Sequence, residues 1–193
     1  MDMPKQEGAM HVVLWRRLDM EGHDACRYVE TLGGWEIEGT AVFEHRGCAA
    51  SLSYSLLCDS KWTSRSAVVS GWIAERQFEL SIEREADTQW RINGILDASM
   101  TGLSDIDLGF TPASNTNVIR RLDLSEGSKA ETVAVWLDTE DWTVKRLPQS
   151  YHRTGAHTFR YVSPEHDYHA TLVIDDFGAV TSYPNLWTMQ RND

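Results

Sequence analysis

The strongest constraint on the fold is a two-residue alternation of apolar and polar side chains that returns along nearly the whole chain. In residues 35–43, Trp35, Ile37, Gly39, Ala41 and Phe43 share one face, while Glu36, Glu38, Thr40 and Glu44 share the other. Leu52, Tyr54, Leu56 and Cys58 alternate with Ser51, Ser53 and Ser55, and Phe78, Leu80 and Ile82 alternate with Glu79, Ser81 and Glu83. Successive side chains of a strand point to opposite faces, so this pattern describes half-buried antiparallel strands with one dry and one wet side. Further runs of the same kind lie at 11–18, 67–74, 89–96, 105–110, 117–124, 131–138, 144–153, 157–163, 168–175 and 179–183. Turn chemistry separates them, as in Asn93-Gly94, Glu126-Gly127-Ser128, Thr154-Gly155 and Asp176-Phe177-Gly178. One segment at 23–32, followed by Gly33-Gly34, reads as a short helix with a glycine stop.

The expectation is therefore all-β: a single curved antiparallel sheet of about a dozen strands, with at most one or two short helices. So many strands strain one flat sheet, and curling into a barrel or half-barrel also removes exposed edges, although a sandwich of two sheets satisfies the same pattern. No linker or repeat divides the chain, so residues 1–193 are expected to form one domain.

Charge excludes some partners. The chain carries 29 Asp and Glu against 18 Lys and Arg, a net −11, and nucleic-acid backbones demand the opposite sign. Residues Met1–Trp15 hold no apolar stretch of signal-peptide length, and no window approaches the roughly 18 apolar residues of a membrane span, which points to the cytoplasm. Cys26, Cys48 and Cys58 lack zinc-ligand spacing and are expected to be reduced, partly buried thiols. His152, His157, His166 and His169 crowd the last quarter beside Glu165 and Asp167, as residues of a solvated loop do. Nucleophile-elbow, phosphate-loop, dinucleotide and H-E-x-x-H signatures are missing, so neither a metal nor a cofactor is expected.

The unusual segment is Asp107-Leu-Gly-Phe-Thr-Pro-Ala-Ser-Asn-Thr-Asn-Val-Ile-Arg-Arg-Leu122, which sets small polar residues, a Pro and a Gly between two apolar runs. Thr111-Pro112 favours extended geometry, and Ser114-Asn115-Thr116 can bond nearby backbone in a wide turn or bond a sugar. Read as a strand, 117–124 puts Arg120 on the dry face with Val118, Leu122 and Leu124, and Arg121 on the other. A guanidinium buried alone would cost several kcal/mol. Arg120 is thus expected either to pair with an internal acid such as Asp107 or Asp59, or to face an anionic ligand.

The same segment resembles the signature of the glycolipid-binding proteins, a family formerly described as a bacterial domain of unknown function. The likeness extends in order through Asp59-Ser-Lys-Trp62-Thr63, Tyr151-His-Arg153, Phe159-Arg-Tyr161-Val-Ser163, Leu172-Val-Ile-Asp175-Asp-Phe-Gly178 and Tyr183-Pro184-Asn-Leu-Trp187. The chain departs from the pattern mildly at Tyr151-His152-Arg153 and Asp175-Asp176. The resemblance implies a curved β-barrel-like fold, similar to periplasmic lipoprotein carriers, and non-catalytic binding of a glycolipid or other amphipathic small molecule in a cavity. Trp62, Phe110, Tyr161, Tyr183 and Trp187 offer flat apolar surfaces for such a ligand, and Asp59, Asp107, Thr111, Asn115, Thr116 and Arg120 a polar head-group end. Two alternatives stay open: a small hydrolase or lyase using Asp59 or Asp107 with Arg120, and an interaction module with a filled core.

Overall fold

The computed structural model describes residues 8–85 and 88–190. The first seven residues of the stretch inspected for an export signal lie outside them. Eight strands come first: β1 (Met10–Arg17), β2 (Gly22–Thr31), β3 (Gly34–His45), β4 (Cys48–Cys58), β5 (Ser64–Ile73), β6 (Arg76–Arg84), β7 (Trp90–Ile92) and β8 (Ile95–Asp97). A short 3-10 turn leads to β9 (Asp105–Leu108), and then to the helix α1 (Ala113–Leu122). The chain closes with β10 (Lys129–Asp138), β11 (Thr143–Gly155), β12 (Thr158–Ser163), β13 (Tyr168–Ile174), β14 (Val180–Tyr183) and β15 (Trp187–Met189).

The fifteen strands of the described residues form one sheet, ordered from β8 back to β1 and then from β15 back to β9. Neighbours in this meander are antiparallel, with one exception: β9 runs parallel to β10, because α1 carries the chain across between them. Tight hairpins set the register. Asn93-Gly94 joins β7 to β8 and Arg46-Gly47 joins β3 to β4, each pair at positive φ, as the favoured two-residue hairpin turns require. The alternation read from sequence appears as burial: Ile37, Ala41, Phe43, Leu52, Tyr54, Leu56, Leu80 and Ile82 are all buried.

The sheet bends until the approach to β9 meets β5. Ser64 N donates to Ser104 O at 3.0 Å, and Ile106 N donates to the Ser64 hydroxyl at 3.0 Å. No ladder joins β9 to β5, so the result is an unclosed half-barrel rather than a barrel. Its trough is packed with Trp15, Trp90, Tyr28, Tyr151, Phe110 and Phe159, all fully buried. No helix among the described residues is long and apolar enough to cross a membrane.

Two sequence expectations fail for physical reasons. Residues 23–31 lie in strand β2, not a helix, Leu32-Gly33 is the β2–β3 hairpin turn, and Gly34 opens β3. The buried face of β2 is Asp24, Cys26 and Tyr28, and the carboxylate at a core position hides the alternation. Residues 117–124 are not a strand: Asn117 to Leu122 complete α1, and Asp123 ends it in the left-handed conformation. The wide turn expected at Ser114-Asn115-Thr116 is the first turn of this helix.

Candidate functional site

Helix α1 is built from Asn, Thr, Ser and β-branched residues, which are weak helix formers. Tertiary hydrogen bonds hold it instead. Ser114 Oγ accepts from Leu108 N at 3.0 Å, Asn115 Nδ2 donates to Tyr151 Oη at 3.1 Å, Thr116 Oγ1 meets Tyr28 Oη at 2.9 Å, and Asn117 Nδ2 donates to Ser64 Oγ at 3.2 Å. Ser114, Asn115, Thr116 and Asn117 therefore each engage a different strand, and residues 113–119 are all buried. Thr111 caps the start by accepting from Ala113 N at 3.0 Å and donating to Asp24. Asp24, fully buried and also hydrogen-bonded by Tyr54 at 2.9 Å, has no cation beside it among the described residues. Burial pushes its carboxyl up to about 6, against the lowering effect of the Thr111 and Tyr54 hydroxyls.

The C-terminal end of α1 borders a cleft of about 720 Å³. Its apolar wall includes Trp62, Ile119, Leu124, Phe159, Ile174 and Phe177, and its polar wall includes Lys61, Arg120, Arg121, Arg153, His157 and Asp175. Arg120 packs against two adjoining rings, 4.9 Å from Trp62 and 5.0 Å from Phe177, and its Nη1 donates to Phe177 O at 2.7 Å. Asp175 builds the loop that supplies Phe177, accepting from Gly178 N at 2.9 Å and Ala179 N at 2.8 Å while His11 holds its other oxygen at 2.8 Å. Gly178 sits at φ +101°, where a Cβ would also come within 3.1 Å of the Arg120 chain. Trp62, at φ +65°, stacks on Trp35 at 4.6 Å and meets Phe177 edge to face at 5.9 Å. Arg153 lies 5.7 Å over Phe159 and donates to the carbonyls of Leu124, Gly155 and Ala156.

A second, smaller pocket of about 170 Å³ lies by the N-terminal end of the helix, lined by Asp107, Thr111, Asn115, Tyr161, Ser163, Tyr168, Tyr183 and Trp187 among others. Its tyrosines pack ring against ring, with centroids 6.1 Å apart for Tyr161 and Tyr183, and the core residue Tyr151 lies 5.1 Å from Tyr161. Asp107 accepts from Gln149 Nε2 at 2.6 Å and Ser114 Oγ at 3.3 Å, and burial pushes its carboxyl up to about 6 despite them. The Ser163 hydroxyl is buried with no hydrogen-bond partner.

The structure thus divides the residues predicted from sequence into three groups. Trp62 and Arg120 line the large cleft. Asp107, Thr111, Asn115, Tyr161, Tyr183 and Trp187 line the small pocket. Phe110 and Thr116 are core residues, and Asp59 orders a turn by accepting from Lys61 N and Thr63 N, each at 2.9 Å. Arg120 pairs with neither Asp107 nor Asp59. The ion pair on this helix belongs to Arg121, which grips buried Asp105 through two 2.6 Å hydrogen bonds. The hydrolase constellation of Asp59 or Asp107 with Arg120 is therefore not assembled. Among the described residues no group of three or more His, Cys, Asp or Glu side chains is placed to hold a metal; His157, for instance, pairs with Asp176 at 2.8 Å. Sequence reasoning did not place Arg153 and Phe177 in a site, although Arg153 and the Asp175–Gly178 turn stood out as motifs.

Comparison with known proteins follows this geometry. Residues 12–189 match the family described as "Putative glycolipid-binding". A crystal structure of a DUF1089 family protein from Pseudomonas aeruginosa is similar in fold, with a TM-score of 0.70 and 24% identity over 97% of this chain and 96% of that one. No curated protein matches. With a match across nearly its whole length, this chain belongs to the glycolipid-binding family.

Proposed function

We propose that the chain, as a single domain, binds an amphipathic small molecule without catalysis, and that the cleft at the C-terminal end of α1 receives it. The observation carrying this reading is the cleft's mixed lining, in which Trp62, Phe159 and Phe177 lie directly beside the Arg120 and Arg153 guanidinium groups. Its volume of about 720 Å³ lies within the range of small-molecule sites, roughly 300–1,000 Å³, whereas the Asp107 pocket falls below it. The trough of the half-barrel is filled by α1 and aromatic side chains, so in this reading the ligand lies at the end of the helix rather than inside a barrel. The family description supports binding of a lipid-like partner, and a glycolipid is the ligand it favours.

Native mass spectrometry of the protein purified from cells, followed by denaturing extraction, tests the reading. A stoichiometric lipid or glycolipid in the extract is the expected result. An empty protein whose melting temperature is unmoved by a panel of alkyl glycosides and monoacyl lipids would contradict it.

A further inference from the structure

Charge pairing in the large cleft is uneven, and the unevenness identifies a ligand class. In a chain with 29 acidic against 18 basic residues, cations are outnumbered, and a half-buried arginine without a carboxylate is unexpected. Arg121 follows the expectation through its bidentate bond to Asp105. Arg120 and Arg153, which line the same cleft, do not: among the described residues neither has a carboxylate within salt-bridge distance, and both bond to main-chain carbonyls.

Two of the cleft's three acids are engaged by other groups, and the third lies exposed at its edge. Asp175 is held by Gly178 N, Ala179 N and His11; Asp176 pairs with His157; Asp123 is exposed at the helix end. Meanwhile the two guanidinium groups are fixed in place. Arg120 packs against both Trp62 and Phe177, Phe159 underlies Arg153, and the exposed Lys61 adds a third positive charge to the rim. Arg120 uses one of a guanidinium's five donors on Phe177 O. Planar, pre-oriented guanidinium groups with spare donors suit oxyanions, which accept two parallel hydrogen bonds.

We infer that Arg120 and Arg153 together recognise the anionic oxygen group, phosphate, sulfate or carboxylate, of the molecule that occupies this cleft. This rests on the proposed binding cleft and adds the charge of its ligand. The anion can be a lipid head group or a free oxyanion, and the two sources differ in whether an apolar tail contributes.

Calorimetry with three probes separates the possibilities: dodecyl phosphate and dodecyl maltoside, both below their micellar concentrations, and inorganic phosphate. The expected result is that dodecyl phosphate binds at least tenfold more tightly than either other probe. Arg120→Gln and Arg153→Gln should each weaken that binding about tenfold or more and weaken dodecyl maltoside binding by a clearly smaller factor. Arg120→Lys, which keeps the charge but loses the planar fork, should recover part of the loss. The maltoside control and an unchanged melting temperature distinguish lost recognition from lost folding. Equal affinity for both dodecyl probes, unaffected by the variants, would overturn the inference and leave the binding cleft standing. Inorganic phosphate binding as tightly as dodecyl phosphate, with the same loss in the variants, would uphold the anion site and overturn the amphiphile reading. No heat with any probe would overturn both.

Discussion

Replacing Asp24 with Asn tests whether a carboxyl group in the core limits stability at neutral pH. Asp24 is fully buried, receives hydroxyl hydrogen bonds from Tyr54 and Thr111, and has a carboxyl pushed up to about 6 from its ordinary 3.8. The folded state therefore holds a proton that the unfolded chain releases at lower pH. Stability contributed by that proton is present below the unfolded value and is lost as pH rises through the folded one, the reverse of a salt-bridged aspartate. The full loss is about 3 kcal/mol, from 1.36 kcal/mol per pH unit across the interval, and about 2 kcal/mol of it falls between pH 4.5 and 8. Asn mimics the protonated acid in shape and cannot ionise. Its extra N–H has to find an acceptor beside Thr111, which costs about 1 kcal/mol at every pH. The variant should thus be about as stable as wild type at pH 4.5, where about 1 kcal/mol of the loss has already occurred, and more stable, by about 2 kcal/mol, at pH 8. Urea unfolding of both proteins at the two pH values measures this, and taking the difference cancels groups common to both, including Asp107. A wild-type minus variant difference that does not change between pH 4.5 and 8 would refute the reasoning.

Other outcomes follow from the same contacts. Arg121→Ala strands the buried Asp105 carboxylate with only the Thr132 hydroxyl, and urea unfolding should show a loss of about 3 kcal/mol or more. Tyr28→Phe removes the hydroxyl that meets Thr116 Oγ1 and Ala113 O in the core, and should cost about 1–2 kcal/mol in the same assay. A thiol reagent should label Cys48 alone in the native protein and all three cysteines in denaturant, as counted by mass spectrometry. Cys26 and Cys58 are buried, and burial raises both thiols, that of Cys58 to about 12.

How far the sequence could be read depended on whether local pattern or tertiary contact decided a segment. Strands such as β3 and β4 were legible because every second residue is apolar and one face is buried throughout. Helix α1 was not, because Ala113–Leu122 carries Ser, Asn and Thr where an amphipathic helix carries apolar residues, and those polar groups are satisfied by strands distant in sequence. A period-two reading therefore put Arg120 on a dry strand face. It was right that this arginine is half-buried and wrong about why: the helix end delivers it to Trp62 and Phe177. Signals of the helix were present nonetheless, in Pro112 at its start, in Arg120 and Arg121 in its last turn, and in Val118, Ile119 and Leu122 at helical spacing. Trp62 and Arg120 could be named from sequence because their types suit an amphiphile. Arg153 and Phe177 reach the same cleft only because the β11–β12 and β13–β14 turns lie side by side, and no spacing along the chain encodes that.

The central claim is that the cleft at the end of α1 is the binding site, and an amide-resolved NMR titration with dodecyl maltoside and dodecyl phosphate tests it most directly. Saturable shift changes centred on Lys61–Thr63, Arg120, Arg153 and Asp175–Gly178 are predicted. Changes confined to the Asp107 and Tyr183 pocket, or none at saturating probe, would contradict it.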